Sequence, residues 1–221
     1  MAVLDQLQLL WTSYRDAYIS GLFLTLRLTG TAFVLAMALG TVIAGFRISP
    51  IAPLRAVGTL YVEVFRNIPL MSLILLVAYA LPNIKIMLSY TASIIAAMSL
   101  VGASFVCEAL RTGINTVDRG QIEAARSVGL GFMQVLGHVV FPQAFRSMVQ
   151  PFVSILIGVF LSSSLAYVVG QLDLTATSSY INNKEALGLL PFGISAVVYC
   201  AIALVIAAIG ARIEKRARVV R

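Results

Sequence analysis

The chain has 221 residues, of which 60% are apolar and only 11% are charged, and its mean hydropathy is +0.95. Soluble domains carry about 25% charged residues, so this composition indicates an integral membrane protein and leaves too few residues for a soluble catalytic domain. The net charge of +7 does not indicate nucleic-acid binding, because the basic residues gather at the ends of apolar runs, as membrane topology requires.

Five apolar stretches are long enough to cross a bilayer as helices. They run over about 18–46, 57–80, 89–110, 149–170 and 191–211. We therefore predict an all-α membrane protein of about five transmembrane helices. Residues 1–16 form an N-terminal external segment, residues 17–215 a single transmembrane domain, and residues 216–221 a basic tail.

The Lys and Arg residues predict the orientation of these helices. The connections on one side hold eleven of them, whereas those on the other side hold three, namely Arg15, Lys85 and Lys184. The positive-inside rule then places the N-terminus outside and the C-terminus, together with the long loop 112–146, in the cytoplasm. The segment 171–190 is predicted to be polar and external.

The loop 112–146 is the longest polar interval of the chain. At about 35 residues it is too long for a simple connector. Asp118 or Arg119 can begin a helix, and Gly129 lies where a left-handed C-terminal cap is expected. A second short amphipathic segment follows, which Pro142 is predicted to interrupt. We interpret the loop as a docking element for a cytoplasmic partner.

Two stripes of small residues and two cysteines are predicted to serve packing. Ala32, Ala36, Gly40 and Ala44 recur every four residues in the first span, and Ala203, Ala207 and Ala211 do so in the fifth. Small residues at this spacing let helices approach closely, within the subunit or toward a second one. Cys107 and Cys200 both lie in apolar runs, which indicates small core residues rather than a disulfide or metal pair.

Two charged pairs lie near span ends. Glu63 and Arg66 are three residues apart, as are Glu108 and Arg111, so each pair shares a helix face and is predicted to form a structural ion pair. For Glu63 and Arg66, contact with a substrate is the alternative, because charges at this depth often mark a functional pathway. Pro69 is predicted to bend the second span.

The fourth span has a polar side. Ser154, Gly158 and Ser162 recur every four residues, and Ser164 lies close by. Such hydroxyls commonly bond to carbonyls of their own or a neighbouring helix. The alternative is a translocation pathway lined by these four residues, along which a polar solute passes.

The long loop resembles the "EAA" loop of permease subunits in bacterial ABC importers, in the variant of the polar amino-acid uptake branch. The matching residues are Gly120, Gln121, Glu123, Ala124, Ala125, Gly129, Phe141, Pro142, Gln143, Ala144 and Arg146. Further matches are the stretches 62–70 (similar to ExFRGTPL) and 79–82 (similar to YGLP), and Glu108, Arg111, Gly113 and Ile114 (similar to ExxRxGI).

This resemblance implies a type I importer permease fold in the bacterial cell (inner) membrane, with cytoplasmic coupling helices that enter a cleft on an ATP-binding subunit. The implied ATPase-coupling residues are Gly120, Gln121, Glu123, Ala124, Ala125, Gly129 and Pro142, with Ala124 and Ala125 together presenting a smooth packing surface. The implied partners are a second permease subunit, two ATP-binding subunits and an external solute-binding protein. ATP and Mg²⁺ would bind the ATPase, and no metal or cofactor is expected in this chain.

The sequence also departs from the family pattern. Where the family has a Lys-Asp/Asn-Thr-Ser-Leu string, this chain has Leu161-Ser162-Ser163-Ser164-Leu165; Ser154 replaces a common asparagine and Leu73 a common glutamine. The loss of these polar groups favours a heterodimer, in which another permease supplies more substrate contacts, over a homodimer. Glutamate or glutamine is the favoured substrate.

Two other classes of protein compete with the permease. An enzyme is disfavoured because the sequence has no Gly-rich phosphate loop ending in Lys-Ser/Thr, so ATP hydrolysis belongs to another chain. Gly102-Ala103-Ser104 resembles a serine-protease string, but Phe105 follows it and the lone histidine, His138, lies in the loop. An ion-coupled secondary transporter is the alternative, although five spans do not divide into the usual internal repeats.

Overall fold

A computed structural model describes residues 3–217, and this part of the chain is α-helical with short connections. The helices are α1 (Val3–Ser13), α2 (Arg15–Ile48), α3 (Ala52–Asn67), α4 (Leu70–Leu75), α5 (Tyr90–Asn115), α6 (Arg119–Ser127), α7 (Phe132–Val135), α8 (Phe141–Ser162), α9 (Leu174–Glu185) and α10 (Leu190–Ala217). A π-helical turn (Leu76–Ala80) and a 3₁₀ turn (Leu81–Ile84) extend α4, a π-helical turn (Leu136–Val140) joins α7 to α8, and a 3₁₀ segment (Ser163–Val169) extends α8. Most of the predicted basic tail, residues 218–221, lies outside the described residues.

Four helical runs within residues 3–217 are long and apolar enough to cross a membrane: Arg15–Ile48, Tyr90–Asn115, Met133–Val169 and Leu190–Arg216. A fifth span forms if α3 and Leu70–Ile84 are counted together, although they are bent by 104°. Ile68 and Pro69 are extended at this break, because proline has no N–H to continue the helical ladder. The predicted all-α fold is confirmed, as is the bend at Pro69.

The centre of the bundle is the packing of α2 along α5. Ala32, Ala36, Gly40 and Ala44 are all buried here, so the predicted stripe serves packing within the chain. A Cβ atom on Gly40 would lie 2.6 Å from the Cβ of Val106, a distance that van der Waals contact does not permit. Small residues therefore set the closeness of these two helices.

The alanine stripe of the fifth span is less buried than the stripe of the first. Ala211 is exposed and Ala203 and Ala207 are only half-buried, whereas Gly210 meets α8, where a Cβ atom on this glycine would lie 2.4 Å from Cγ2 of Val153. Gly210 is seven positions after Ala203 and three after Ala207, so it lies on nearly the same face of α10 as these two alanines. Cys200 is correspondingly exposed rather than in the core, while Cys107 is buried as predicted.

The helix α9 lies at the end of the bundle opposite the loop 112–146, which is called the far end. This end contains two helices, α1 and α9, that the sequence did not predict. The helix α1 packs through Leu10 and Tyr14 against Ile181 of α9. Asp173 begins α9: its Oδ1 accepts a hydrogen bond from the Ala176 N–H at 2.9 Å and its Oδ2 one from the Tyr199 hydroxyl at 3.1 Å. This aspartate is fully buried, so α9 is fixed by a cap that also contacts α10.

The buried Asp173 predicts a pH dependence of stability. Desolvation raises the pKa of this carboxyl above its ordinary value, although hydrogen bonds from Ala176, Thr175 and Tyr199 oppose the rise. The folded state therefore holds the proton more tightly than the unfolded state does. The stability that this group contributes is present below its ordinary pKa and is lost as the pH rises through the folded-state pKa.

We expect Asp173→Asn, which keeps a cap acceptor but does not titrate, to flatten the fall in melting temperature between about pH 4 and neutrality. Thermal unfolding of the detergent-solubilised protein at a series of pH values measures this. Asp16→Asn is the matched control, because the Asp16 side chain is 88% exposed. Equal pH slopes for Asp173→Asn and the unsubstituted protein would contradict the assignment.

Candidate functional site

The helix α6 has defined caps at both ends. The Asp118 carboxylate accepts a hydrogen bond from the Gly120 N–H at 2.7 Å, so α6 begins at Arg119. At its end, Gly129 has φ +86° and donates to the Arg126 carbonyl at 2.9 Å, while Leu130 donates to the Ala125 carbonyl at 3.2 Å. This pair of bonds is a Schellman motif, which favours glycine at the left-handed position. The predicted helix start and glycine cap are both confirmed.

The loop has an apolar core of its own. Its buried members are Val117, Ala125, Val135, Val140, Ala144 and Met148. Ala125 therefore points inward, which corrects the interpretation that both alanines present a packing surface. The outward face of α6 carries Gly120, Glu123 and Ala124, all exposed. Ala125 supports this face from behind, because residues one position apart on a helix point in different directions.

The helix α6 is tied to the spans that flank the loop. Gln143 of α8 donates a hydrogen bond to Oε1 of Gln121 in α6, so two residues of the EAA-like motif are direct partners. The Thr116 hydroxyl, just after α5, lies 3.1 Å from the Ser147 hydroxyl of α8. The helix α6 is thus bonded directly to α8, and α8 is in turn bonded to the end of α5.

Pro142 does not interrupt the second loop segment. It lies in the first turn of α8, and α7, the π-helical turn and α8 form one helical run, Met133–Val169. Proline has no N–H to continue the regular helical ladder, and the π-helical turn directly before α8 interrupts that ladder at the same place. Pro142 is thereby accommodated within a continuous span.

Large apolar side chains are exposed on this polar loop. Val128 is 78% exposed and Met133 75% exposed, and Phe141 and Phe145 are also exposed. Exposed apolar groups rimmed by polar residues mark sites of protein interaction. These four side chains and the outward face of α6 are together called the loop surface, and their exposure suits them to docking a partner.

A first cavity of about 390 Å³ lies between α4, α5 and α8. Its lining includes Ser154, Gly158 and Ser162, so three of the four predicted pathway residues share one face. Ser164 instead lines a separate cavity beside α10. The reason is local: after Ser162 the helix tightens to 3₁₀ geometry, which changes the angle between successive side chains and turns Ser164 away.

A second cavity of about 440 Å³ lies nearer the loop and is lined by charged residues. Its lining is Arg47, Val62, Glu63, Arg66, Asn67, Phe105 and Glu108. Phe105 also lines the first cavity, so one residue of α5 borders both cavities. Sequence analysis did not identify Phe105 as a site residue, and it used Arg47 only as one of the basic residues that predict the orientation of the chain.

The two predicted ion pairs are wrong. Glu108 pairs with Arg47 of α2 instead of Arg111, and in residues 3–217 no ion pair joins Glu63 to Arg66. The Arg66 guanidinium carbon lies 5.7 Å from the Phe105 ring centroid. An exposed pair on one helix stabilises by only about 0.2–0.5 kcal/mol, so contact with an aromatic ring on another helix can outweigh it.

The Arg47–Glu108 pair predicts an asymmetry between single and double substitutions. These side chains are only 12% and 27% exposed, so Arg47→Met leaves a mostly buried carboxylate without its partner and is expected to destabilise the protein by about 1–3 kcal/mol. Arg47→Met/Glu108→Met is expected to regain most of this loss. Thermal unfolding in detergent measures both. Arg111→Met is the control. If it destabilises the protein as much as Arg47→Met does, the result would indicate that Glu108 pairs with Arg111 within α5 instead.

Comparison with known proteins assigns the chain to a family. Residues 21–219 match the family model described as "Binding-protein-dependent transport system inner membrane component". The chain belongs to this family of permeases. The resemblance drawn from the EAA-like loop is thereby confirmed.

Relatives of this permease and a solved structure agree with the assignment. It is 34% identical over 199 residues to a probable glutamine ABC transporter permease of Bacillus subtilis, covering 89% of this chain and 91% of the relative. It is 33% identical over 209 residues to a glutamate transport system permease of Corynebacterium efficiens, covering 88% and 91%. A chain in a crystal structure of an amino acid ABC transporter superimposes with a TM-score of 0.90 at 29% identity, covering 98% of this permease and 99% of that chain. The permease fold is confirmed.

Proposed function

We propose that this permease forms one half of the translocation pathway of an ATP-driven importer of polar amino acids, of the glutamate or glutamine type, in the bacterial cell membrane. The observation that carries the proposal is the hydrogen bond between Gln121 and Gln143. It connects the exposed helix α6 to α8, and α8 lines the first cavity. One chain thus offers a docking surface, a cavity and a hydrogen bond that joins the helices carrying them.

The mechanism follows from this connection. A separate ATP-binding subunit, which holds ATP and Mg²⁺, docks on the loop surface and receives Gly120, Glu123 and Ala124 in a cleft. Closure of that subunit displaces α6. The helix α8 follows through the bond between Gln121 and Gln143, and α5 follows α8 through the contact between Thr116 and Ser147. Rigid-body displacement of these spans opens the cavities alternately to the two sides of the membrane.

The orientation proposed for this mechanism has the N-terminus outside and the loop surface in the cytoplasm, where ATP is available. The far end, with α1 and α9, then faces an external solute-binding protein that delivers the amino acid. ATP hydrolysis resides in the partner subunit, and this chain contributes movement instead of chemistry.

The first cavity supports a pairing with a second, different permease. Among its lining residues the polar side chains are Ser154 and Ser162, whereas a free amino acid carries an ammonium and a carboxylate. Two hydroxyls alone do not compensate the desolvation of both charges. A partner permease that supplies charged groups completes the site, and two probable glutamine permeases of Bacillus subtilis are both relatives of this chain. A homodimer is the alternative.

Reconstitution in proteoliposomes tests the proposal. The permease is purified with its ATPase and partner permease, and uptake of radiolabelled glutamine and glutamate is measured with the solute-binding protein outside and ATP at the ATPase. We expect uptake that requires ATP and that stops when ATP is replaced by a non-hydrolysable analogue. Uptake by this chain alone under an ion gradient would instead identify an ion-coupled secondary transporter.

A further inference from the structure

The second cavity contains two kinds of charged residue. Arg47 and Glu108 neutralise each other across α2 and α5 and are mostly buried. Glu63 and Arg66 lie three residues apart on α3, line the same cavity and are both exposed. Residues 3–217 show no salt bridge that includes Glu63 or Arg66, so the cavity presents one negative and one positive group that can each contact a ligand.

This arrangement matches the charges of an amino-acid backbone. A zwitterion carries a carboxylate, which a guanidinium binds through two parallel N–H donors, and an ammonium, which donates to a carboxylate. Residues three apart on a helix are neighbours, so one small ligand can reach both. A cavity of about 440 Å³ also falls within the size range of small-molecule sites.

The position of Phe105 connects this cavity to the first one. Its ring lines both cavities, and the Arg66 guanidinium lies over it at 5.7 Å from the centroid. Arg66 and the ring that borders the first cavity are therefore direct neighbours.

We infer that Glu63 and Arg66 form a second binding site for the translocated amino acid, with its carboxylate on Arg66 and its ammonium on Glu63. The inference rests on the proposed function, because it takes the solute to be an amino acid. The site binds the groups common to all amino acids, so selectivity for the side chain belongs to other residues. The translocated amino acid occupies this site after it leaves the first cavity and before it reaches the loop end of the bundle.

Equilibrium binding tests the inference. The purified complex, without nucleotide, is titrated with radiolabelled glutamine in detergent and in nanodiscs of phosphatidylcholine. We expect Arg66→Gln and Glu63→Gln each to weaken binding about tenfold or more, since each removes a charge-assisted contact. Arg66→Lys, which keeps the charge but not the paired donors, is expected to be intermediate. If the Arg66→Gln complex does not assemble, the binding affinity of Arg66→Lys provides the test instead.

Arg55→Gln is the matched control. Arg55 lies on the same helix, but its guanidinium donates to the Ser49 and Pro50 carbonyls at 3.0 Å and it does not line the cavity. We expect this variant to bind glutamine with the affinity of the unsubstituted complex. A Kd for Arg66→Gln equal to that of Arg55→Gln would overturn the inference.

Ligand analogues and uptake separate the remaining outcomes. The analogue of glutamine without its ammonium should bind the unsubstituted complex weakly, and Glu63→Gln should reduce that difference. If anionic phospholipid competes with glutamine at Arg66, the site belongs to a lipid head group and the inference fails. If Arg66→Gln and Glu63→Gln both take up glutamine with an unchanged KM, the inference about the second site fails while the proposed function stands. If the unsubstituted complex takes up no amino acid at all, the proposed function itself fails.

Discussion

Gly129→Val is expected to reduce ATP-driven uptake by at least about tenfold while the membrane bundle stays folded. Gly129 has φ +86°, a conformation that costs an L-residue about 1–2 kcal/mol and a β-branched residue more. Apart from Gly129 and its two chain neighbours, no residue has an atom within 4 Å of the position that a Cβ would occupy, so the effect is conformational, without a clash against another part of the chain. The chain relieves the strain by remodelling the turn, which moves α6 away from the position that its partner recognises.

Gly188→Val is the matched control for this experiment. Gly188 also has a left-handed φ of +67° and no atom within 4 Å of a Cβ, but it lies between α9 and α10 at the far end. We expect a similar small loss of thermal stability in both variants and a loss of ATP-dependent coupling only in Gly129→Val. Glu123→Lys, which reverses a charge on the outward face of α6, should also uncouple ATP hydrolysis from uptake. Normal uptake by both Gly129→Val and Glu123→Lys would remove the role assigned to α6.

Gly40→Leu is expected to abolish the folded permease. A Cβ at Gly40 would lie 2.6 Å from the Cβ of Val106 and 2.7 Å from the Ala103 carbonyl oxygen. A backbone oxygen of a central helix has little freedom to move, so α2 and α5 must separate. Overpacking of a core typically costs about 1–3 kcal/mol, and here the separation also opens the largest helix contact of the bundle.

Gly45→Leu tests whether position on the helix matters. Gly45 lies on the same helix α2, but it is exposed, and a Cβ built there would have no atom of another helix within 4 Å. Size-exclusion profiles and melting temperatures in detergent measure the folded yield of both variants. We expect Gly45→Leu to behave as the unsubstituted protein and Gly40→Leu to aggregate. Equal yields would show that α2 and α5 do not pack as described.

The features that the sequence predicted are those fixed by local chemistry. Asp118 and Gly129 bound α6 because a side-chain cap and a left-handed residue act on their own backbone. Pro69 breaks the second span because it lacks an N–H. The small residues of α2 pack inward because their spacing matches the helix repeat and a lipid-facing surface gains nothing from small side chains.

The features that the sequence did not predict depend on which helices become neighbours. The partner of Glu108 is Arg47, which is 61 positions away, so a pairing argument confined to one helix assigned Arg111 instead. Arg66 contacts Phe105 of another helix for the same reason. The change to 3₁₀ geometry after Ser162 turned Ser164 away from the first cavity, and a pattern based on four-residue spacing does not detect such a change.

The central claim is that a nucleotide-hydrolysing subunit seated on α6 drives the movement of this chain, and site-directed cross-linking tests it most directly. Ala124→Cys is introduced after the two native cysteines, Cys107 and Cys200, are replaced by alanine. Asn183→Cys at the far end is the control. The purified complex is then treated with a short bifunctional maleimide. We expect position 124 to cross-link to the ATPase subunit, in a yield that changes when ATP binds, and position 183 not to do so. A complex that transports amino acids while position 124 forms no cross-link to a nucleotide-hydrolysing subunit would contradict the account.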